Sequence, residues 1–299
     1  MSFFKKAILL PVSILIATAS IAQDDLMGML DDGEETTEYT YATFKTTRII
    51  SGHSVESPSE GVLQFIVSHH FGRINQGIYN FFGLDQATIR LGLHYGINDR
   101  LAIGIGRSSF QKTLDGYVKY KLLRQSTGKR KMPVTLAYFG ATDVNTLRWQ
   151  EPERQNYFSS RLSYVHQLLI ARKFNPKLSL QLSPSLVHKN LVEASDDNND
   201  IFATGIGGRY MITGSLSINA EYFHVFGKRN DPQYENALAI GVDLETGGHV
   251  FQLHLTNAQP MFERGFITET RGKWGDGDIY FGFNINRVFT IKKPKEFRE

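Results

Sequence analysis

A period of two residues governs most of this chain, and it leaves few folds open. In "ATIRLGLHYGI" (87–97), Ala87, Ile89, Leu91, Leu93, Tyr95 and Ile97 are apolar, while Thr88, Arg90, Gly92, His94 and Gly96 are small, polar or charged. Successive side chains of a strand point to opposite faces, so the segment has one greasy face and one wet face. The alternation recurs near 63–71, 101–108, 117–122, 134–138, 161–170, 178–186, 201–212, 215–226, 237–245, 250–257 and 278–290, which with 87–97 makes twelve strands. Short turns are expected at 98–100, 126–131, 175–176, 213–214 and 247–248, where Asn, Asp, Gly and Pro collect. Longer polar connections at 73–86, 144–156, 191–200, 227–236 and 258–277 alternate with them, and one short connection, 111–113, joins that second series. An even strand count with short turns at one end and long loops at the other is the signature of an all-β, antiparallel, up-and-down transmembrane β-barrel.

A β-sandwich also alternates, so the greasy face must be assigned a solvent. The opposite face is rich in Gly, Ser, Thr, Asn and Gln with scattered charges, as a water-filled lumen allows. Aromatics such as Tyr95, Phe110, Tyr120, Tyr138, Phe158, Tyr164, Tyr222 and Phe289 fall near strand ends, where interfacial girdles form. Serial hairpins need no Greek-key crossing, and apolar faces on this scale would aggregate in water. Lipid is the expected neighbour.

The flanks divide the rest. Lys5 and Lys6, the apolar run 7–18 and the small-x-small Ser20-Ile21-Ala22 read as a signal peptide over 1–22, implying export to the outer membrane. Without those residues the chain carries 31 basic and 30 acidic side chains, so no basic footprint for nucleic acid exists. Cysteine is absent, which excludes disulfides and thiolate metal sites. Residues 23–60 stand outside the meander: "QDDLMGMLDDGEETTE" has seven acidic residues and no base, and "TFKTTRIISGHSV" would make an odd thirteenth strand. That segment is expected in the periplasm or lumen, with a partial plug as one form, or else paired at the barrel seam; the barrel spans 61–290 and a tail 291–299 follows.

The stretches "TTRIISGHSVESPSEGVLQFIVSHHFG" (46–72) and "ERGFITETRGKWGDGDIYFGFNINRVFTI" (263–291) resemble a family of Gram-negative, Bacteroidota-type outer-membrane β-barrels to which no activity is assigned. The resemblance extends over nearly the whole chain after the signal, including "DDLMGMLDD". It implies the barrel fold and the outer membrane, and brings no functional residues with it. Many outer-membrane barrels end on an aromatic residue read by the assembly machinery; here "IKKPKEFRE" runs on past Phe289.

The chemistry is sparse. His69 and His70 are adjacent and point to opposite faces, and no histidine pair has zinc-site spacing. Ser51-x-His53 and Ser68-x-His70 have the spacing of a nucleophile and its base, but neither lies on the lipid face. "GIGR" (104–107) and "GIGGRY" (205–210) are fragments of phosphate-loop patterns, better explained as small residues on a curved wall. No catalytic site, cofactor or metal is therefore expected. What remains is the lumen: Arg90, His94, Lys119, Lys121, Arg161, Arg209 and His254 face inward against Asp115, Glu221 and Asp243. A three-residue hairpin at Thr213-Gly214-Ser215 would set Arg209 diagonal to Glu221, within ion-pairing reach. The inward charges either pair to knit a filled interior or line a weakly anion-favouring pore, and the leading expectation is a passive channel or small-solute transporter. The alternative is a barrel that anchors an envelope complex, docking a periplasmic or surface protein through 23–40 or loop 258–277. A barrel enzyme ranks last. The other expected partners are the outer-membrane bilayer and the barrel assembly machinery.

Overall fold

A computed structural model describes residues 36–292 other than 193, 195, 229 and 248. The expected signal peptide, most of the acidic segment and the end of the tail lie outside the described residues. β1 (Thr37–Tyr39) pairs with β6 (Ser126–Gly128) in a small two-stranded sheet. The other strands form one closed barrel: β2 (Val62–Arg73), β3 (Ala87–Gly96), β4 (Leu101–Ser108), β5 (Leu114–Leu123), β7 (Thr135–Val144), β8 (Leu162–Lys173), β9 (Leu178–Lys189), β10 (Asp200–Met211), β11 (Leu216–Val225), β12 (Ala237–Thr246), β13 (His249–Thr256) and β14 (Tyr280–Thr290). Each pairs antiparallel with its neighbours in sequence order, and β14 closes onto β2. Twelve strands, all antiparallel, are the architecture the alternation predicts.

Side-chain chemistry explains the tight turns. Asn98 Oδ1 accepts from the amides of Arg100 and Leu101 at 2.8 Å each, and Asn175 Oδ1 accepts from Lys177 and Leu178 at 2.9 and 2.8 Å. Thr213 Oγ1 does the same for Ser215 and Leu216. A short polar side chain thus stands in for the ladder where the chain reverses. In β3 the even-numbered residues are buried, while Ile89, Leu91 and Leu93 are exposed. Leu182, Phe202, Ile206, Ile218, Ile240 and Leu253 are exposed in the same way on other strands, a continuous apolar exterior. His166, a polar residue on that exterior, meets the Tyr138 hydroxyl at 2.7 Å.

The interior is filled by the chain itself. The stretch 43–55 precedes β2 and is buried inside the barrel, with Phe44, Ile49, Ile50 and Val55 almost inaccessible. The connection from β13 to β14 leaves from the opposite end and also turns inward, carrying a short helix, α1 (Glu263–Thr268), of which every residue is buried. Phe266 and Ile267 of α1 pack against Val165, Val187, Ile201 and Phe223 of the wall. Phe44, Ile49 and Val55 pack against Tyr117, Phe139 and Leu169. The inner face is therefore wet in some sectors and apolar in others, each sector matching what is packed on it.

Candidate functional site

A segment inside a barrel without sheet pairing must find partners for its amides and carbonyls, since a buried orphan is costly. Between 43 and 58 the backbone makes only an isolated bridge, Arg48 to His53. Its own side chains Thr46, Arg48, Ser54 and Glu56 meet part of the need, and the wall meets much of the remainder. Glu221 accepts from the amides of Ile50, Ser51 and Gly52, the Ser51 bond being 2.6 Å. Gln181 accepts from Val55 at 2.9 Å and donates to the His53 carbonyl at 2.8 Å. Gln252 and Asn284 donate to the carbonyls of Ile49 and Ile50, both at 3.0 Å. Lys119 donates to the carbonyls of Ser54, at 2.9 Å, and Glu56. The polar inner face is thus a docking surface for irregular backbone.

The second insert is held by charge. Arg264 of α1 donates to Asp143 of β7 at 2.7 Å, to Glu269 and to Gln111. Lys189 of β9 reaches Glu269 at 2.8 Å. Burial is the largest influence on the Glu269 carboxyl and would raise it, but the charges and hydrogen bonds of Arg264 and Lys189 outweigh burial and hold it down at about 2. The two inserts touch where Arg48 donates to Glu263 at 3.2 Å, with His53 Nε2 3.6 Å from the same carboxylate. Burial pushes the Glu263 carboxyl above its usual range, with Arg48 and Arg90 opposing. His53 is driven well below the usual histidine range by burial and then by the neighbouring cations Arg48 and Lys119, which keeps the ring neutral.

The expected lumen residues fall as follows. Arg90 and Asp115 form a two-pronged ion pair across β4, with Nε to Oδ1 at 2.9 Å. His94 is fully buried against the rings of Tyr117 and His53. Lys119 is fully buried on the first insert, whereas Lys121 is half-buried, 3.9 Å from Glu56. Lys121 lines an open recess of ≈ 370 Å³ at the turn end, together with Tyr41, Glu56, Asp99 and Arg124. Asp243 accepts from Gln252 at 2.9 Å. Two expectations need correcting. Arg161 lies in a 3-10 turn before β8, half-exposed, where it stacks on Trp149 and donates to the carbonyls of Asn145 and Leu147. Its strand begins one residue later, so the alternation there was extended too far. Arg209 is diagonal to Glu221, since Gly207 pairs with Glu221 and Arg209 with Asn219, yet no ion pair forms. Glu221 is taken by insert amides, and Arg209 donates to the Ala42 carbonyl at 3.0 Å.

Barrel closure also makes a histidine pair that sequence spacing hides. His254 and His70 both sit opposite Gly282 of β14, and their Nε2 atoms are 2.9 Å apart over it. A Cβ on Gly282 would come within 2.6 Å of both rings. Among the described residues no cluster of three or more metal-type side chains occurs.

A closed antiparallel barrel with an apolar exterior and a charged, chain-filled interior is a membrane-bound β-barrel protein. The chain belongs to the family described as a membrane-bound beta barrel domain (DUF5777), which matches residues 44–289 and so includes both inserts. No curated protein matches it. Among solved structures it is similar in fold to the NanC porin, at TM-score 0.48 and 9% identity over 77% of this chain and 100% of that one. It is similar also to an outer-membrane channel from Pseudomonas putida F1, at 0.47 and 13% over 78% and 97%, and to the KdgM porin, at 0.45 and 9% over 76% and 99%.

Proposed function

We propose that this protein is an outer-membrane channel for small solutes, passive in mechanism and closed in the present conformation by its own two inserts. The observation that carries this reading is how the inserts are held. Wall side chains such as Gln181, Gln252, Asn284 and Lys119 bond the first insert, and ion pairs of Arg264 and Lys189 hold the second. Those groups would line a polar passage on withdrawal of either insert, and the recess beside Lys121 and Arg124 gives solutes an entrance from the turn end. Export through the 1–22 signal and a lipid-facing exterior fit the outer membrane. The reading assigns no catalytic role: His53 Nε2 lies 3.6 Å from the Glu263 carboxylate.

The test is conductance of the purified barrel in planar bilayers, comparing the full chain with a variant whose residues 258–272 are replaced by a short Gly-Ser linker. The full chain should be nearly silent and the variant should show stable steps. A variant that is folded, as judged by heat-modifiable gel mobility, and still silent would refute the channel. A second reading, a sealed barrel anchoring an envelope complex, is favoured by the apolar seat of Phe266 and Ile267 on the wall. In that case residues 271–277 are the outward part of the loop expected to dock a partner, since 258–270 are almost wholly buried. Pull-downs with and without residues 23–40 test whether the acidic segment recruits one; identical partner sets would reject it as the dock.

A further inference from the structure

Gly92 lies between Arg90 and His94 on the inner face of β3 and faces Gly106 of β4, while His94 faces Gly104. Three glycines thus floor one patch of the wall, and the side chains around it lie flat across them. A Cβ on Gly92 would stand 2.9 Å from Arg90 Nη1 and 3.1 Å from His94 Nε2. Two buried nitrogens thus lie close over one glycine. Neither has a protein partner, although Arg90 and His94 are wholly inaccessible. Asp115 occupies only Nε and Nη2 of Arg90. The first insert also carries unpartnered donors, since Arg48 Nε and Nη2 are buried without a partner, and its His53 ring lies 5.7 Å from the His94 ring, centroid to centroid.

Guanidinium nitrogens can only donate, and a neutral histidine can turn a donor toward the same point. A buried patch of unanswered donors beside an already satisfied carboxylate calls for a partner that only accepts. We infer that the Gly92 cradle, between Arg90 and His94, binds a small monovalent anion of the size of chloride, at the junction of the wall and the first insert. The anion completes the hydrogen bonding of Arg90 that Asp115 leaves open. This site is independent of whether the barrel conducts.

Chloride itself is the probe. The full chain, purified in detergent with gluconate as the only other anion and at constant ionic strength, is titrated with radioactive chloride in a scintillation proximity assay. The expected result is a single saturable site. Gly92→Ala sets a methyl group in the cradle and keeps every charge; the crowded atoms are at the ends of side chains that can give way. It should weaken chloride binding at least about tenfold. Gly116→Ala, where the new Cβ meets nothing closer than 3.8 Å, should bind as the parent does. The double variant Arg90→Gln with Asp115→Asn, which removes the donor-only group together with its counter-charge, should abolish binding and keeps the test open if Gly92→Ala fails to fold. Absence of saturable binding by the parent, or parental affinity in either cradle variant with heat-modifiable mobility intact, would overturn the site. No current is measured, so the outcome is separate from that of the bilayer test.

Discussion

Acid should loosen the second insert, and the effect should belong to one carboxylate. Glu269 is held down from its ordinary 4.5 to about 2, against burial, by Arg264 and Lys189. At about 1.4 kcal/mol for each tenfold change in proton affinity, that is roughly 3 kcal/mol of docking free energy at neutral pH. The folded value is depressed, so the contribution is present in full above about 4.5 and is lost as the pH falls from there through about 2. Glu263 works in the opposite sense, because burial raises it. Its penalty grows only as the pH rises above the ordinary carboxylate value and is constant below it, so the window from about 4.5 to 2.5 separates Glu269 from Glu263. Hydrogen exchange read by mass spectrometry, corrected for the intrinsic pH dependence, reports the opening of peptides spanning 262–270, which contain the Phe266-to-Phe262 and Glu269-to-Gly265 amide bonds. Protection there should fall by roughly 40-fold across the window, relative to peptides from β3 and β4. Glu269→Gln should start from weaker protection at pH 7 and show no such fall. Protection in the parent that is flat across the window, or a full acid response in Glu269→Gln, would refute the reasoning.

Other consequences follow from packing. Phe266→Ala empties a fully buried ring site whose neighbour Phe223 lies 5.0 Å away, centroid to centroid, and should cost about 3–5 kcal/mol of insert docking, seen as lost protection over 262–270 with the barrel strands unchanged. Glu221→Gln removes the charge that three amides share and should cost about 1.5–3 kcal/mol, so that exchange at residues 50–52 accelerates at least tenfold while 262–270 are unaffected. Gly282→Ala drives a methyl group into the rings of His70 and His254 and should cost about 1–3 kcal/mol, lowering the temperature at which the barrel loses its compact gel mobility; an unchanged temperature would mean the wall relaxes freely there.

The strands were legible because the membrane imposes alternation on every one of them, as Ile89, Leu91 and Leu93 against Arg90 and His94 show. Turns were legible because their chemistry is local to Asn98, Asn175 and Thr213. The filling was half-written. In "LSYVHQLLIARK" (162–173) Val165 and Leu169 are inward-facing apolar residues that alternate with the polar Ser163 and Gln167, and a purely wet lumen gives no reason for them. They mark the seat of an insert, a signal that a reading based on outward alternation passes over. Asp143 and Lys189 share the inward register of their strands and were within reach of the same pattern. The contact of Arg48 with Glu263 was not, since it joins aperiodic segments 215 residues apart. Nor were the partners of Glu221, which are backbone amides and leave no trace in side-chain identity.

The two inserts are also the immediate predecessors of the two strands that close the barrel: 43–58 leads into β2, and the connection bearing α1 leads into β14. A nascent sheet whose first and last strands are still apart holds these segments on its free edges, so their junction cannot exist before the edges meet. Filling and closure are therefore one event in biogenesis. A crosslink between positions 48 and 263 would serve as a stopwatch for the completion of the cylinder, marking the moment at which the final pair of strands zips around its own contents.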